Sequence, residues 1–330
     1  MVNVRPCKCT KPCVKFALLA GTLCLFAQEP VIRTTVPLVL LPVSVTDHSG
    51  KPVAGLTEHQ FQVLDDGKPV KHTLEITNQP ISLVVAVQTS SAAGPVIAKV
   101  QKIGPLFEPL VVGAGGEAAI LTYSNHVKLW QPFTHSGDEF TRKMRKILPD
   151  GTEARANDAV VEAVRMLSSR PGYRRVLVLI GETRDRGSEA RLQEAISQAQ
   201  AANVTIYPVS YSVYATSFTS RGAETFAGTD RPVFDAGGPM NLLAVFTEIG
   251  RMATESGADA RASYTGGERV SFTKLSGLEK VIAAVGRDLH SQYLLSFLAT
   301  NPERGVYRPL TVTTNRTDVT VRTRPGYWLE

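Results

Sequence analysis

Three short polar segments follow or precede the strongest apolar runs of this chain. Gln88-Thr89-Ser90-Ser91-Ala92 follows ISLVVAV (81–87), Gly181-Glu182-Thr183-Arg184-Asp185 follows VLVLI (176–180), and Asp150-Gly151-Thr152 precedes an amphipathic stretch starting at Ala156. Together they offer hydroxyls, carboxylates and an amide. In open parallel sheets, ligands bind beyond the carboxyl ends of the strands, near the point where strand order reverses. Ser90 has the strand-to-helix placement of a hydrolase nucleophile, but QTSSA lacks the glycines of G-x-S-x-G. The histidine such a serine would need is missing too, since His290 stands beside a strand start. GAGGE (113–117) precedes a strand, so it cannot hold a pyrophosphate against a helix N-terminus. The six histidines, at 48, 59, 72, 126, 135 and 290, show no metal-ligand spacing. No catalytic residue is assigned, and a hydrolase is the weakest reading.

The elements that must carry these segments alternate. ISLVVAV and VLVLI are near-continuous apolar runs, as in strands buried on both faces of a parallel sheet. AAILTY (118–123) and VTIYPVSY (204–211) read as further strands, with HVKLWQPF (126–133) antiparallel to the first of them. Helical spacing marks Val96 to Phe107, broken at Gly104-Pro105. It recurs in 138–147, Ala156 to Leu167, Leu192 to Ala199, Leu242 to Ile249 and Leu278 to Leu289. YLLSFLA (293–299) closes the alternating section. Residues 212–237 are rich in Ser, Thr and Gly, long for a loop, and read as an insertion or a lip. The expected fold class is doubly wound α/β with a mostly parallel sheet.

Both flanks are β. Val39, Leu41, Val43 and Val45 alternate, Asp47 to Gly50 forms a turn, and Asp66-Gly67 is a hairpin signal. YRPLTVTT, DVTVRTR and PGYW follow the last helix. The expectation is a β-rich side domain built from N- and C-terminal strands. The segments are 1–27 (leader), 28–79 (β-rich), 80–300 (α/β) and 301–330 (C-terminal β, pairing with the N-terminal one).

The first 27 residues read as a secretory signal. Arg5, Lys8, Lys11 and Lys15 precede the apolar run Phe16 to Ala27, too short for an ordinary membrane span. Cys7, Cys9, Cys13 and Cys24 all lie here. CKCTKPC as a metal tract and Cys24 as a lipoprotein anchor are the lesser alternatives; Leu23 stands where an anchor prefers a small residue. The whole chain carries 36 basic and 30 acidic side chains, a formal +6. Cleavage after Ala27 takes four basic residues and no acidic one, leaving 32 against 30 and no cysteine. That near-neutral balance excludes a nucleic-acid reading. No later stretch has 18 uninterrupted apolar residues, so no transmembrane segment is expected after cleavage. The basic groups Arg142, Lys143, Arg145, Lys146 and Arg170, Arg174, Arg175 read as solvated faces.

The ordered set of VSVTDHSGKPVAGLTEHQFQVLDDGKPV, the apolar strands, TGG (265–267), SQYLLSFLA and VTVRTRPGYW resembles the von Willebrand factor A (vWA) family. It is most similar to the vWA-related proteins abundant in acidobacteria. The resemblance covers nearly all of the chain after the leader. It implies a Rossmann-like fold and a non-catalytic role in protein binding or cell adhesion, in the periplasm or outside the cell. In that family a DxSxS motif, a loop Thr and a later Asp hold a divalent cation at the metal-ion-dependent adhesion site. This chain departs from it. Gln88 replaces the leading Asp, Ser90 is kept, Ala92 replaces the second Ser, Thr152 stands at the loop Thr, and Glu182 at the later Asp. The resemblance thus implies a degenerate metal set of Ser90, Thr152 and Glu182, with Asp185 or Asp158 as substitutes, although Asp158 reads better as a helix cap. No cofactor is expected beyond weak Mg2+ or Mn2+ binding. The partner face implied is Gln88, Ser90, Ser91, Thr152, Glu182 and Asp185. The bland alternative is a structural envelope scaffold, with Gln88 bonded across an inert crevice and the β side domain as the interaction element.

A ligand bound only by the native state raises its melting temperature. Low-millimolar Mg2+ or Mn2+ is expected to leave the melting temperature of this protein unchanged; a rise of several degrees would reinstate the cation site.

Overall fold

The computed structural model describes residues 38–75, 79–107, 115–211, 256–272, 277–300 and 305–328. The leader, the loop at 212–237 and the helix expected at 242–249 lie outside these residues. The α/β part is a six-stranded sheet of β5 (Ile81–Gln88), β6 (Glu117–Tyr123), β7 (Val127–Thr134), β8 (Arg174–Glu182), β9 (Val204–Tyr211) and β10 (Val270–Phe272). Its order is β10-β9-β8-β5-β6-β7, parallel except for β7 on β6. From β5 the chain first moves outward to β6 and β7, then returns to the other side of β5 with β8. The switch point therefore lies between the carboxyl ends of β5 and β8, where Gln88 and Glu182 are.

Burial on both faces explains the unbroken apolar runs. Ile81, Leu83, Val85 and Val87 of β5 face a core closed by α1 (Gly94–Val100), α2 (Gly104–Phe107), α3 (Gly137–Met144) and α7 (Leu278–Ser291). Val84 and Ala86 face the opposite core, closed by α4 (Ala156–Ser168) and α5 (Leu192–Ala201). The Gly104-Pro105 break serves packing as well as backbone: a Cβ at Gly104 would lie 2.9 Å from the Thr141 Cα of α3. Among the described residues no helix is long and apolar enough to cross a membrane.

The side domain is a sandwich of two four-stranded sheets built from N- and C-terminal strands. The first has the order β13-β1-β11-β4, from β1 (Leu38–Asp47), β4 (His72–Glu75), β11 (Tyr293–Leu298) and β13 (Val319–Arg322). The second has the order β14-β12-β2-β3, from β2 (Phe61–Asp65), β3 (Lys68–Val70), β12 (Tyr307–Thr314) and β14 (Gly326–Trp328). Val39, Leu41, Val43, Leu295, Phe297, Leu310 and Val312 fill the space between them. The hairpin between β2 and β3 turns on Asp66 and Gly67, both at positive φ (52° and 73°), as a two-residue turn of this type requires. Residues 293–298 correct the sequence reading. They do not close the parallel sheet but pair antiparallel with β1 and β4. An apolar strand after a helix signals burial, and its pattern is silent on which sheet accepts it.

A second correction concerns Arg170, Arg174 and Arg175, which are not a solvated face. Arg174 donates through Nη1 to Leu289 O (2.5 Å) and through Nη2 to Gln292 Oε1. Arg175 Nη1 donates to Ala202 O (2.7 Å), and Arg170 pairs with Glu117 at 3.2 Å and stacks 4.2 Å above the Phe133 ring. Arg142, Lys143, Arg145 and Lys146 are exposed on and just after α3.

Among the described residues, sandwich and sheet share two seams. In one, Ile196 of α5 and Tyr264, just after α6 (Gly257–Ser263), pack with Tyr307 and Trp328. The other centres on Asp288, in the last turns of α7. Its Oδ1 accepts from Ser44 Oγ (2.8 Å) and Arg322 Nη2 (2.7 Å), and its Oδ2 from Tyr207 OH (2.7 Å) and Gln292 Nε2 (3.0 Å). Arg322 Nη1 also reaches the Gly267 and Gly266 carbonyls (2.5 and 3.1 Å). Burial works against the Arg322 charge, but Asp288, Glu268 and Tyr207 outweigh it and hold its pKa above the ordinary value. Burial, then the Asp288 carboxylate, pushes the Tyr207 phenol well up. Removing one partner of such a cluster strands the other charge. Asp288→Ala is expected to cost about 3 kcal/mol or more in urea unfolding, and Asp288→Asn clearly less.

Candidate binding face at the carboxyl ends of the strands

Gln88, the last residue of β5, is only 2% exposed. Its Nε2 donates to Ser90 Oγ (2.7 Å) and its Oε1 accepts from Glu182 N (2.7 Å). The amide therefore spans the switch point and ties β5 to β8. A carboxylate there could accept the Glu182 N–H but could not also donate to Ser90. Ser90 is fully buried, and its hydroxyl faces the amide. The serine is thus no accessible nucleophile, and His290 is exposed on the final turn of α7.

The remaining residues divide by role. Ser91 is exposed, and its N–H donates to Gly151 O (2.9 Å), while Asp150 N donates to Thr89 O (2.6 Å). Thr152 is also exposed; its N–H donates to Asn125 Oδ1 (2.7 Å), which accepts from Glu153 N as well (3.1 Å). Ser91 and Thr152 thus form an outer rim on loops stitched to each other. Glu182 pairs with Arg186 at 2.8 Å. Asp185 accepts from Asn157 N (2.8 Å) and Ser188 Oγ (2.7 Å), so it caps α4 from a distant loop.

Asp158 corrects the sequence reading. It does not cap its own helix, because it already lies in the first turn of α4, and its carboxylate binds the amides of Glu189 and Ala190 instead.

These donors fit a divalent cation poorly. Such an ion wants converging oxygen ligands. Here an N–H donor points at Ser90, Ala92 has no side-chain oxygen to give, and Glu182 is already paired with Arg186. Among the described residues no three His, Cys, Asp or Glu side chains group as a metal site.

Below the rim, Tyr123 donates to Ile180 O (3.2 Å), and burial, then Tyr211, raises its pKa well above the ordinary value. The Tyr211 phenol is raised as well, by burial and then by Glu182. Sequence reasoning missed Asn125, Asn157 and Arg261. Asn125 sits in the tight Ser124-Asn125-His126 connection, a turn signal. Arg261 lies among small residues (GADARAS) and carries no mark of its burial.

Gly181 tests how tightly this face is built. A Cβ there would lie 2.0 Å from Tyr123 OH and 2.8 Å from Gln88 Oε1. Gly181→Ala is expected to lose about 2 kcal/mol or more by chemical denaturation. Tyr123→Phe, which removes the hydroxyl, should restore part of that loss in the double variant.

Residues 111–236 match the family described as von Willebrand factor type A domain. The match takes in Thr152, Glu182 and Asp185 and begins after Gln88, Ser90 and Ser91. No curated protein matches the chain. Among solved structures, BatB from Bacteroides thetaiotaomicron aligns at 15% identity and a TM-score of 0.43, over 64% of this chain and 97% of its own. The vWF domain of the type V pili tip protein Mfa5 from Porphyromonas gingivalis aligns at 9% and 0.41, over 65% and 96%. Proximal thread matrix protein 1 from the mussel byssus, with zinc in its MIDAS motif, aligns at 12% and 0.43, over 64% and 48%. At such identities and scores, nothing about ligands passes from those proteins to this one. Residues 111–236 thus match a von Willebrand factor type A domain, and the α/β sheet they belong to is set on a β-sandwich built from N- and C-terminal strands.

Proposed function

We propose that the protein is an exported, non-catalytic binding or adhesion module that meets a protein partner with the face formed by 88–92, 150–155 and 181–186. The observation that carries this reading is the Gln88 bridge. It closes the switch point with protein groups alone and leaves Ser91 and Thr152 exposed on a stitched rim, a preformed surface that needs no ion. Export rests on the leader: four basic residues, an apolar run, and all four cysteines ahead of Ala27. The compartment proposed is the periplasm or the exterior, with Cys24 acylation as the lesser route.

The alternative is a structural envelope scaffold that uses the sandwich. It draws on the internal bonding of Gln88, Ser90, Glu182 and Asp185, which leaves the crevice itself inert. Affinity capture from the protein's own cell envelope separates the two. Thr152→Arg and Ser91→Arg, both at exposed positions, are expected to abolish recovery of the partner, and Thr313→Arg on the sandwich to leave it intact. The reverse pattern would move the binding surface to the sandwich.

A further inference from the structure

Beyond Asp185 lies a cleft of about 400 Å³, walled by Asn157, Arg184, Asp185, Leu192, Gly257 and Arg261. Arg261 is a fully buried guanidinium, 1% exposed. Its Nη2 donates to Asn157 Oδ1 (2.7 Å), and its Nε has no hydrogen-bond partner among the described residues. A guanidinium presents five N–H groups, and a buried charge so thinly partnered is costly. The carboxylate of the cleft wall does not settle it. Asp185 Oδ1 accepts from Asn157 N and Ser188 Oγ, and no ion pair joins Asp185 to Arg261 among the described residues.

One approach to the guanidinium is left bare of side chain. A Cβ at Gly257 would lie 3.5 Å from Nη1 and 3.6 Å from Nη2. Gly257 also has no positive φ that would demand glycine. Arg184 adds a second positive charge to the wall, against the one carboxylate of Asp185. The cleft thus calls for a single negative charge, and a planar fork pairs best with a planar anion.

We propose that this cleft receives a carboxylate group, held by Arg261 from the side that Gly257 leaves open. The group belongs either to an acidic side chain of a protein or to a small free carboxylic acid. Only the first of these rests on the partner reading above. Burial lowers the Arg261 pKa, with Asp185 and Tyr123 opposing; a bound carboxylate would offset that burial.

The test is titration of the full chain at constant ionic strength, followed by the Arg261 Nε–H resonance in 15N NMR. The resonance is assigned by its loss in Arg261→Lys. The probes are acetate, acetamide, N-acetyl-aspartate methylamide, its asparagine counterpart and inorganic phosphate. Acetate and the blocked aspartate are expected to shift the resonance saturably, and the two amides to leave it in place. Gly257→Val, which fills the approach, should weaken carboxylate binding about tenfold or more, as loss of a hydrogen bond to a charged group does, with the melting temperature kept. Tighter binding of the blocked aspartate assigns the protein source, and equal or tighter binding of acetate the free acid.

No saturable shift with either carboxylate, equal response to the amides, tighter binding of phosphate, or indifference to Gly257→Val overturns the proposal. The two readings fail separately. Carboxylate binding with capture unaffected by Thr152→Arg and Ser91→Arg leaves this site standing and removes the partner face, and the opposite result does the reverse.

Discussion

The Asp288 carboxylate is where α7, β1, β9 and β13 are fixed to one another. Both of its oxygens accept two hydrogen bonds, from Ser44, Arg322, Tyr207 and Gln292. A partly buried carboxylate is tolerable when its lone pairs are taken up in this way, and a half-satisfied one is worse than none. What the cluster contributes is position. Arg322 carries its hold on to the Gly266 and Gly267 carbonyls, and a Cβ at Gly267 would lie only 2.0 Å from Ile206 O of β9. The backbone at Gly267 thus lies close against β9, which pairs with β8 up to Glu182 opposite Tyr211. The cluster thus bonds, through Tyr207, to the strand beside the one that ends at Glu182.

At that face the choice of an amide governs the chemistry. Gln88 both donates and accepts, so one side chain joins Ser90 to Glu182 with no third party. The surrounding acids have turned to structural work. Asp185 caps α4, Asp158 holds the amides of residues 189 and 190, and Glu182 answers Arg186. The result is a stiff, internally bonded surface. The adjacent Arg261, by contrast, is under-partnered, and the two sites call for different chemistry.

The α/β sheet was legible in the sequence because burial on both faces leaves runs such as ISLVVAV and VLVLI that few other structures tolerate. The hairpin at Asp66-Gly67 was legible because its turn needs positive φ. Tyr293–Leu298 was not placed correctly, since an apolar strand after a helix advertises burial and says nothing of its neighbours. Val270–Phe272 is too short to show a period at all. At the site, Gln88 bonded across the crevice was among the sequence alternatives, because an amide in place of an acid changes hydrogen-bond capacity in a known way. The duties of Asp158, Arg174, Arg175 and Arg261 were hidden. A charged residue's partner can be a carbonyl or amide 31 or 115 residues away, as with Asp158 at Glu189 and Arg174 at Leu289.

β1 changes partners along its length. Residues 38–43 pair with β11 and residues 44–47 with β13 on the opposite edge, with Ser44 the first residue of the second pairing. β4 finds its place only beside β11. The first strand of the domain therefore has no sheet to join until the chain from 293 to 322 exists. The α/β sheet can assemble from strands close in sequence, whereas β1 and β4 of the sandwich wait for partners far along the chain. Until then the alternating Val39, Leu41, Val43 and Val45 stay unsheltered. β1 and β4 therefore gain their sheet late, whereas β2 and β3 of the same sandwich close a hairpin on the spot.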